Sequence, residues 1–494
     1  MNYVSTRDGS IKITSATAIV RGLSADGGLF MPESIPSVSD SELRTLSEMD
    51  YRQRAKLVLS KFLTDYTAEE IENCVNGAYT AEKFGGENPV PVTKLDDNNF
   101  VLELWHGPTC AFKDMALQIL PRLLTTATKK CSSDKTIVIL VATSGDTGKA
   151  ALEGFCDVEG TKILVFYPSD GVSEVQKKQM ISQKGDNTGV MGIVGNFDDC
   201  QSGVKVIFGD SDVAKKLSDN GYEFSSANSI NWGRLVPQVV YYFSAYADLV
   251  KTGDIKIGDK LDFVVPTGNF GDILAGYIAK KMGLPVGKLV CASNSNNVLT
   301  DFINTGVYDR NRKFFTTISP SMDILISSNL ERLLFMMSDG DDKKVSEYMS
   351  LLSKEGKYTV DSELLEKIKA EFVGGYADEQ TTVAAIADAY KKFGYVTDPH
   401  TAVAYHVAAS YESENKKVIL STASPYKFPA SVIEGVAGKI TTEDEFELFD
   451  ILNEKTGAPI PAPLKNIKNA QDRFTSKCEK TEMVNAVYDF LDIK

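Results

Sequence analysis

An α/β fold with a mainly parallel sheet is predicted by three observations. Short runs of Val, Ile and Leu recur from about residue 100 onward, each is followed by a longer segment of helical period, and two of the junctions are glycine-bearing loops. NFVLELW precedes KDMALQILPRLLTTATKK, TIVILVA precedes GDTGKAALEGF, and TKILVFYP precedes SEVQKKQMISQK. Later LDFVVPTG precedes GDILAGYIAKKMG, and KKVIL precedes a final helical region. Such continuous apolar runs suit strands covered by helices on both faces, as in a parallel sheet.

Residues 1 to about 95 form a separate preface. ADGGLFMPESIP (25–36) is rich in turn residues, and SDSELRTLSEMDYRQRAKLVLSKFL is a helix with a Ser/Asp start. ENPVPVTKL (87–95) follows Gly85 and Gly86, and its prolines suit a linker or an edge strand, so the boundary falls there. The charged stretch from about 327 to 393 is expected to be a helical elaboration on the outside.

Composition narrows the function. The 494 residues, 43% hydrophobic and 24% charged, give a soft prior of roughly three domains with ample core. A net charge of −14 argues against nucleic acid or an anionic membrane as a bulk partner, since both need a basic face. The seven cysteines are scattered, never spaced as CxxC, and fit reduced thiols in a cytosolic compartment. With only three histidines, no metal site is expected. The polar start MNYVSTRDGSIKITS lacks the apolar core of a signal peptide, and no apolar run approaches a membrane span. A cytoplasmic protein without a membrane partner is the expectation.

Two loops and one lysine carry the chemistry. ATSGDTGKAA (142–151) resembles a phosphate-binding P-loop superficially, but Thr143 stands where a glycine is needed and Ala150 replaces the Mg²⁺-binding hydroxyl. What remains is a strand, a tight turn and a helix starting near Asp146, whose free N–H groups and dipole favour an anion. The hydroxyls of Thr143, Ser144 and Thr147 suit a substrate carboxylate. VVPTGNFGDI (264–273) repeats the geometry with Gly268, Asn269, Phe270 and Gly271, where the glycines let backbone approach a phosphate closely. Lys113, in ELWHGPTCAFKDMALQ, follows the Pro108–Thr109 turn and opens a helical pattern. A helix N-terminus and partial burial both disfavour its ammonium and favour a nucleophilic amine. An amine that forms Schiff bases beside a phosphate cradle points to pyridoxal phosphate (PLP).

HGPTCAFKDMALQ, followed in order by SGDTG and GNFGD, resembles the threonine synthase family, PLP enzymes of fold type II. YVSTRDG, ADGGLFMPE, SSANSINWGRLVPQ, SPSMDILISSNLERLL, DPHTAVAY and LSTASPYKFP extend the likeness to its long, N-terminally extended branch. The resemblance implies two open, twisted, mainly parallel sheets flanked by helices, plus an N-terminal domain (1–95). A small α/β domain (126–205) would interrupt a large PLP-binding domain (96–125 and 206–494).

On that likeness Lys113 forms the Schiff base, and Gly268, Asn269, Phe270 and Gly271 bind the cofactor phosphate. Thr143, Ser144 and Thr147 receive the substrate carboxylate, while Asn228, Ser229 and Arg234 hold the substrate phosphate. Asp146 stands where many fold-type-II relatives place Asn against the cofactor's 3-oxygen. Thr422 offers a neutral hydroxyl to the pyridine nitrogen, a weaker electron sink than a carboxylate partner would make. Relatives often read TAHPAKF where this chain reads TASPYKF, so Ser424 and Tyr426 depart from the pattern. His106 and His400 are candidate acid–base groups or structural histidines, and Asn294 and Asn296 are expected to shape turns.

The implied reaction converts O-phospho-L-homoserine and water to L-threonine and phosphate, the last step of threonine biosynthesis, in a monomer or homodimer. The alternatives are a phospholyase releasing 2-oxobutanoate and a catalytically silent ligand-binding homologue.

Overall fold

The computed structural model describes residues 1–169, 172–440 and 442–494. Two sheets dominate. The larger has six strands in the order Phe372–Tyr376, Val286–Ser293, Leu261–Pro266, Lys416–Ser421, Asn99–Glu103 and Val92–Lys94. All neighbours run parallel except the last pair. The proline-flanked Val92–Lys94 is thus an antiparallel edge, where a missing N–H does least harm. Leu261–Pro266 is buried along its whole length, which is why it reads as an unbroken apolar run.

The smaller sheet has five strands in the order Lys477–Glu479, Thr188–Val194, Thr161–Pro168, Thr136–Ala142 and Tyr222–Ser225, all parallel. The segment 126–205 supplies only the middle three. Tyr222–Ser225 and Lys477–Glu479 come from outside it, because sheet edges left open at 205 are closed by whichever segments reach them. Similarly, 327–393 is not purely external: its FVGGY supplies the edge strand Phe372–Tyr376. Two glycines mask that strand in the sequence, yet a Cβ on Gly375 would stand 2.7 Å from Val407 and one on Gly374 3.0 Å from the Thr300 backbone.

The N-terminal segment builds an antiparallel sheet ordered Lys12–Ile13, Tyr3–Ser5, Phe30–Pro32 and then helices. The single helix expected near residues 39–63 is two, Asp40–Thr45 and Tyr51–Phe62. Asp50 breaks it by capping the second, its side chain accepting from the Gln53 N–H while Gln53 accepts from the Asp50 N–H. This unit packs on the core. Tyr3 and Phe62 meet Trp232 edge-on at 5.4 and 5.5 Å. Arg7 donates twice to Glu331, at 2.9 and 2.8 Å, and Thr6 donates to the same carboxylate at 2.6 Å. Among the described residues no helix is long and apolar enough to cross a membrane.

Candidate active site

The segment after Asn99–Glu103 is threaded against the one after Lys416–Ser421. The Phe112 N–H donates to the Thr422 carbonyl at 2.8 Å, and Ala111 bridges Ala423. Asp114 secures the other side, accepting from the Thr109 N–H and hydroxyl, both at 2.8 Å. Burial raises its carboxyl to about 7 despite those bonds. Lys113 is held between these two anchors at the head of the short helix Asp114–Leu117.

The Lys113 side chain is buried, with Nζ 3.1 Å from Ser321 Oγ and 3.7 Å from Asp146 Oδ2. Burial pulls the ammonium below its ordinary value, Asp146 opposes this, and Arg234 and Lys427 reinforce it. Asp146 opens the helix Asp146–Phe155. Burial would raise its carboxyl, but Lys427 and Lys113 outweigh that and hold it well below the usual range.

The 143–147 loop is internally braced. Thr143 Oγ1 accepts from the N–H groups of Gly145 and Gly148, at 3.0 and 2.9 Å. Gly145 sits at φ +148°, and a Cβ there would stand 2.5 Å from Gln176. Ser144 is exposed and Thr147 half-buried.

The 268–271 loop is braced from outside. Phe270 adopts the left-handed conformation (φ 61°), and no side chain caps the helix Gly271–Lys281 that follows. Gly268 is obligatory, since a Cβ would lie 2.6 Å from the Ser321 carbonyl. One on Gly271 would come within 3.4 and 3.7 Å of the Asn329 and Gln238 amide nitrogens. Both N–H groups of the Asn329 side chain are given to carbonyls, so the uncapped backbone N–H groups of the helix start are the donors that suit a phosphate, and with the Lys113 amine the cradle fits PLP. Asn269 itself is exposed, while its carbonyl accepts from the backbone and side-chain N–H of Asn329, at 3.1 and 3.0 Å.

Arg234 lies two residues into the long helix Trp232–Thr252. It is buried, donates to the Ala227 carbonyl at 2.9 Å, and has no carboxylate partner among the described residues. Burial lowers its guanidinium to about 10. Asn228 is exposed and Ser229 half-buried at the loop before that helix. Thr422 is buried, its N–H donating to Thr401 Oγ1 at 3.3 Å.

The histidines are held by their neighbours. His400 Nε2 accepts from the Ser321 N–H at 3.2 Å and Nδ1 pairs with Asp398 at 2.8 Å, which assigns the proton to Nδ1. His106 pairs with Glu103 at 2.7 Å and stacks on Trp105. Ser424 caps the Tyr426 N–H and gives its own N–H to Cys110. Asn294 and Asn296 both donate to Asp323 Oδ1, at 2.7 and 3.0 Å, shaping the turn that carries Ser321.

Several site residues escape a reading of the sequence alone: Lys427, Gln176, Gln179, Ser321, Asn329 and Arg332. Asn329 donates to the carbonyls of both Asn269 and Ser229, and the buried Arg332 donates to Ile230, Phe30 and Asn329. Ser321, Asn329 and Arg332 lie in SPSMDILISSNLERLL, Lys427 in LSTASPYKFP, and Gln176 and Gln179 in SEVQKKQMISQK, where nothing marks one polar residue over another.

Comparison with known proteins agrees with this geometry. Family models match in chain order: "Threonine synthase N terminus" over 2–79, "Pyridoxal-phosphate dependent enzyme" over 84–363, and "Threonine synthase, C-terminal" over 401–487. "Threonine synthase-like 1" of Homo sapiens is 41% identical over 90% of this chain, which spans 60% of that relative's length. The threonine synthase of Pseudomonas aeruginosa is 38% identical, with 89% of this chain and 91% of that one aligned. The crystal structure of a PLP-bound threonine synthase from Brucella melitensis superposes with a TM-score of 0.89 at 37% identity, covering 99% of both chains. The chain therefore belongs to the threonine synthase family of PLP-dependent enzymes.

Proposed function

We propose that this protein converts O-phospho-L-homoserine and water to L-threonine and phosphate. The observation that carries the reading is the charge around Lys113. Lys113, Lys427 and the guanidinium of Arg234 are buried around Asp146, the one carboxylate among the described residues that ion-pairs with them, while burial raises the nearby Asp114 to about 7. Such an excess of buried positive charge calls for an anion. A substrate with a carboxylate and a phosphate supplies it.

Bound PLP supplies an electron sink for charge developing at the substrate's α-carbon. Gly268, Asn269, Phe270 and Gly271 would hold its phosphate, Asp146 its 3-oxygen side and Thr422 its ring nitrogen. Thr143, Ser144 and Thr147 orient the substrate carboxylate. Arg234, with Asn228 and Ser229, binds the departing phosphate, where a planar guanidinium donates two parallel bonds. Lys113, freed when substrate binds, takes the α-proton and manages the protons at Cβ. Phosphate then leaves Cγ, Cγ takes up a proton to become the methyl group, water adds its hydroxyl at Cβ and gives its other proton to the departing phosphate, and Cα is reprotonated.

Purified protein mixed with PLP and O-phosphohomoserine should yield threonine and phosphate in equal amounts. Recovery of 2-oxobutanoate instead would favour a phospholyase built from the same residues, and no turnover would favour a silent homologue. Lys113→Ala should abolish turnover and the visible absorbance of lysine-linked PLP while leaving circular dichroism unchanged; retained absorbance would overturn the lysine's role. The reading further takes the protein as a monomer or homodimer and places it in the cytoplasm, the compartment that seven unpaired cysteines support. It divides the chain near residue 95; a separate N-terminal unit is supported by the match over 2–79, though the match to the PLP-dependent enzymes already begins at 84.

A further inference from the structure

Lys427 is a buried ammonium that the reaction above does not use. It is 1% exposed, and its Nζ meets Asp146 Oδ1 at 2.8 Å, Gln179 Oε1 at 2.7 Å and the Thr109 carbonyl at 3.3 Å. A lysine has three N–H donors, so all three are engaged. Lys427 follows a strand of the larger sheet, whereas Asp146 and Gln179 lie on helices Asp146–Phe155 and Glu174–Ile181 that accompany the smaller one. The ion pair therefore crosses between the two sheets. Gln176 Nε2 donates to the same Oδ1 at 2.9 Å. One carboxylate oxygen is thus saturated. The other faces Lys113 at 3.7 Å and Ser321 Oγ at 3.5 Å.

We infer that Lys427 is a positioning residue: it keeps Asp146 a carboxylate, binds one of its oxygens, and so presents the other to the 3-oxygen side of PLP. The inference rests on the proposed assignment of Asp146 to the cofactor. Where fold-type-II relatives carry Asn, a neutral amide needs no counter-ion. A buried carboxylate in that place does, or it would take up a proton. Lys427 is the counter-charge that allows this chain to use Asp. An ionised Asp146 has no proton to donate, so any proton between it and the cofactor is carried by the cofactor's 3-oxygen or the neighbouring amine. The titratable groups that feel the pair are Lys113, Asp114 and the buried Cys110 thiol, with Arg234, Glu153 and Lys149 next to those three in turn.

The test is a pH titration of the visible absorbance of PLP holoenzyme in four forms: wild type, Lys427→Met, Asp146→Asn and the double variant. Removing the cation leaves Asp146 uncompensated, so the proton it shares with the cofactor should be held to higher pH and the absorbance midpoint should rise by about one pH unit or more. Removing the anion should lower it, and the neutral double variant should return close to wild type with restored PLP affinity. A purely structural lysine would give losses that add in the double variant. Midpoints that add instead of cancelling, or a folded Lys427→Met that titrates like wild type, would overturn the inference. An unchanged midpoint in Asp146→Asn would instead remove Asp146 from the cofactor, a failure of the underlying assignment. If Lys427→Met is insoluble, a soluble double variant upholds the charge argument, and an equally insoluble one refutes it.

Discussion

The loops at 143–147 and 268–271 follow the same strand-to-helix course and differ in what holds them open. The first is braced by its own Thr143, whose hydroxyl oxygen takes up two N–H groups, of Gly145 and Gly148. The second leaves its helix start uncapped and is held by residues far along the chain. Ser327 donates to the Gly268 carbonyl at 2.8 Å, Asn329 donates to Asn269, and the Ser321 carbonyl packs on Gly268. A self-capped loop is robust but spends donors internally. An externally braced loop keeps donors free for a stronger anion and depends on a distant turn. That contrast matches the singly charged carboxylate proposed for the first and the phosphate for the second.

The sharpest probe of this division is Arg234→Leu. Charge-assisted hydrogen bonds contribute about 1.5–3 kcal/mol, so kcat/KM for O-phosphohomoserine should fall by roughly 10- to 200-fold. PLP affinity should hold, because the cofactor phosphate belongs to 268–271, and inhibition by free phosphate should weaken. Loss of PLP with phosphate inhibition intact would mean that the two phosphates have been exchanged. Gly268→Ala comes next, since its methyl would press on the backbone oxygen of Ser321. Overpacking of about 1–3 kcal/mol predicts PLP binding weaker by roughly 5- to 150-fold in an absorbance titration; unaltered binding would show that the distant brace is dispensable. The smallest effect on the cofactor is expected from Thr143→Val. Two orphaned N–H groups should cost about 1–3 kcal/mol of stability, read as a lower Tm, while PLP affinity stays within about twofold. A large loss of PLP there would erase the distinction between the loops.

What was legible in the sequence follows the same division between local and distant causes. Thr136–Ala142 and Leu261–Pro266 announce themselves because a strand covered on both faces must be apolar throughout. The loops after them are visible through their glycines, and Lys113 through its turn-to-helix setting. Phe372–Tyr376 and Lys477–Glu479 were hidden because edge strands need only one partner and tolerate glycine or charge. Lys427 and Asn329 were hidden for a different reason. A lone polar residue in a loop is ordinarily solvated, and only the meeting of remote segments buries these two. The phosphate loop could be seen, but its braces could not.

Glu331 shows what such remote meetings impose on the newborn chain. Arg7 and the carboxylate that grips it are 324 positions apart, and both bonds between them join the N-terminal sheet to the body. During synthesis the opening strands leave the ribosome long before Glu331 is translated. At about 5–20 residues per second, they wait roughly 15–65 seconds for their partner. For about the first two-thirds of that interval Tyr3 and Phe62 lack the Trp232 surface, so apolar side chains stand open to solvent or to a chaperone. A pulse of protease on stalled nascent chains should therefore cut the N-terminal segment readily until residue 331 has emerged, and only weakly afterwards.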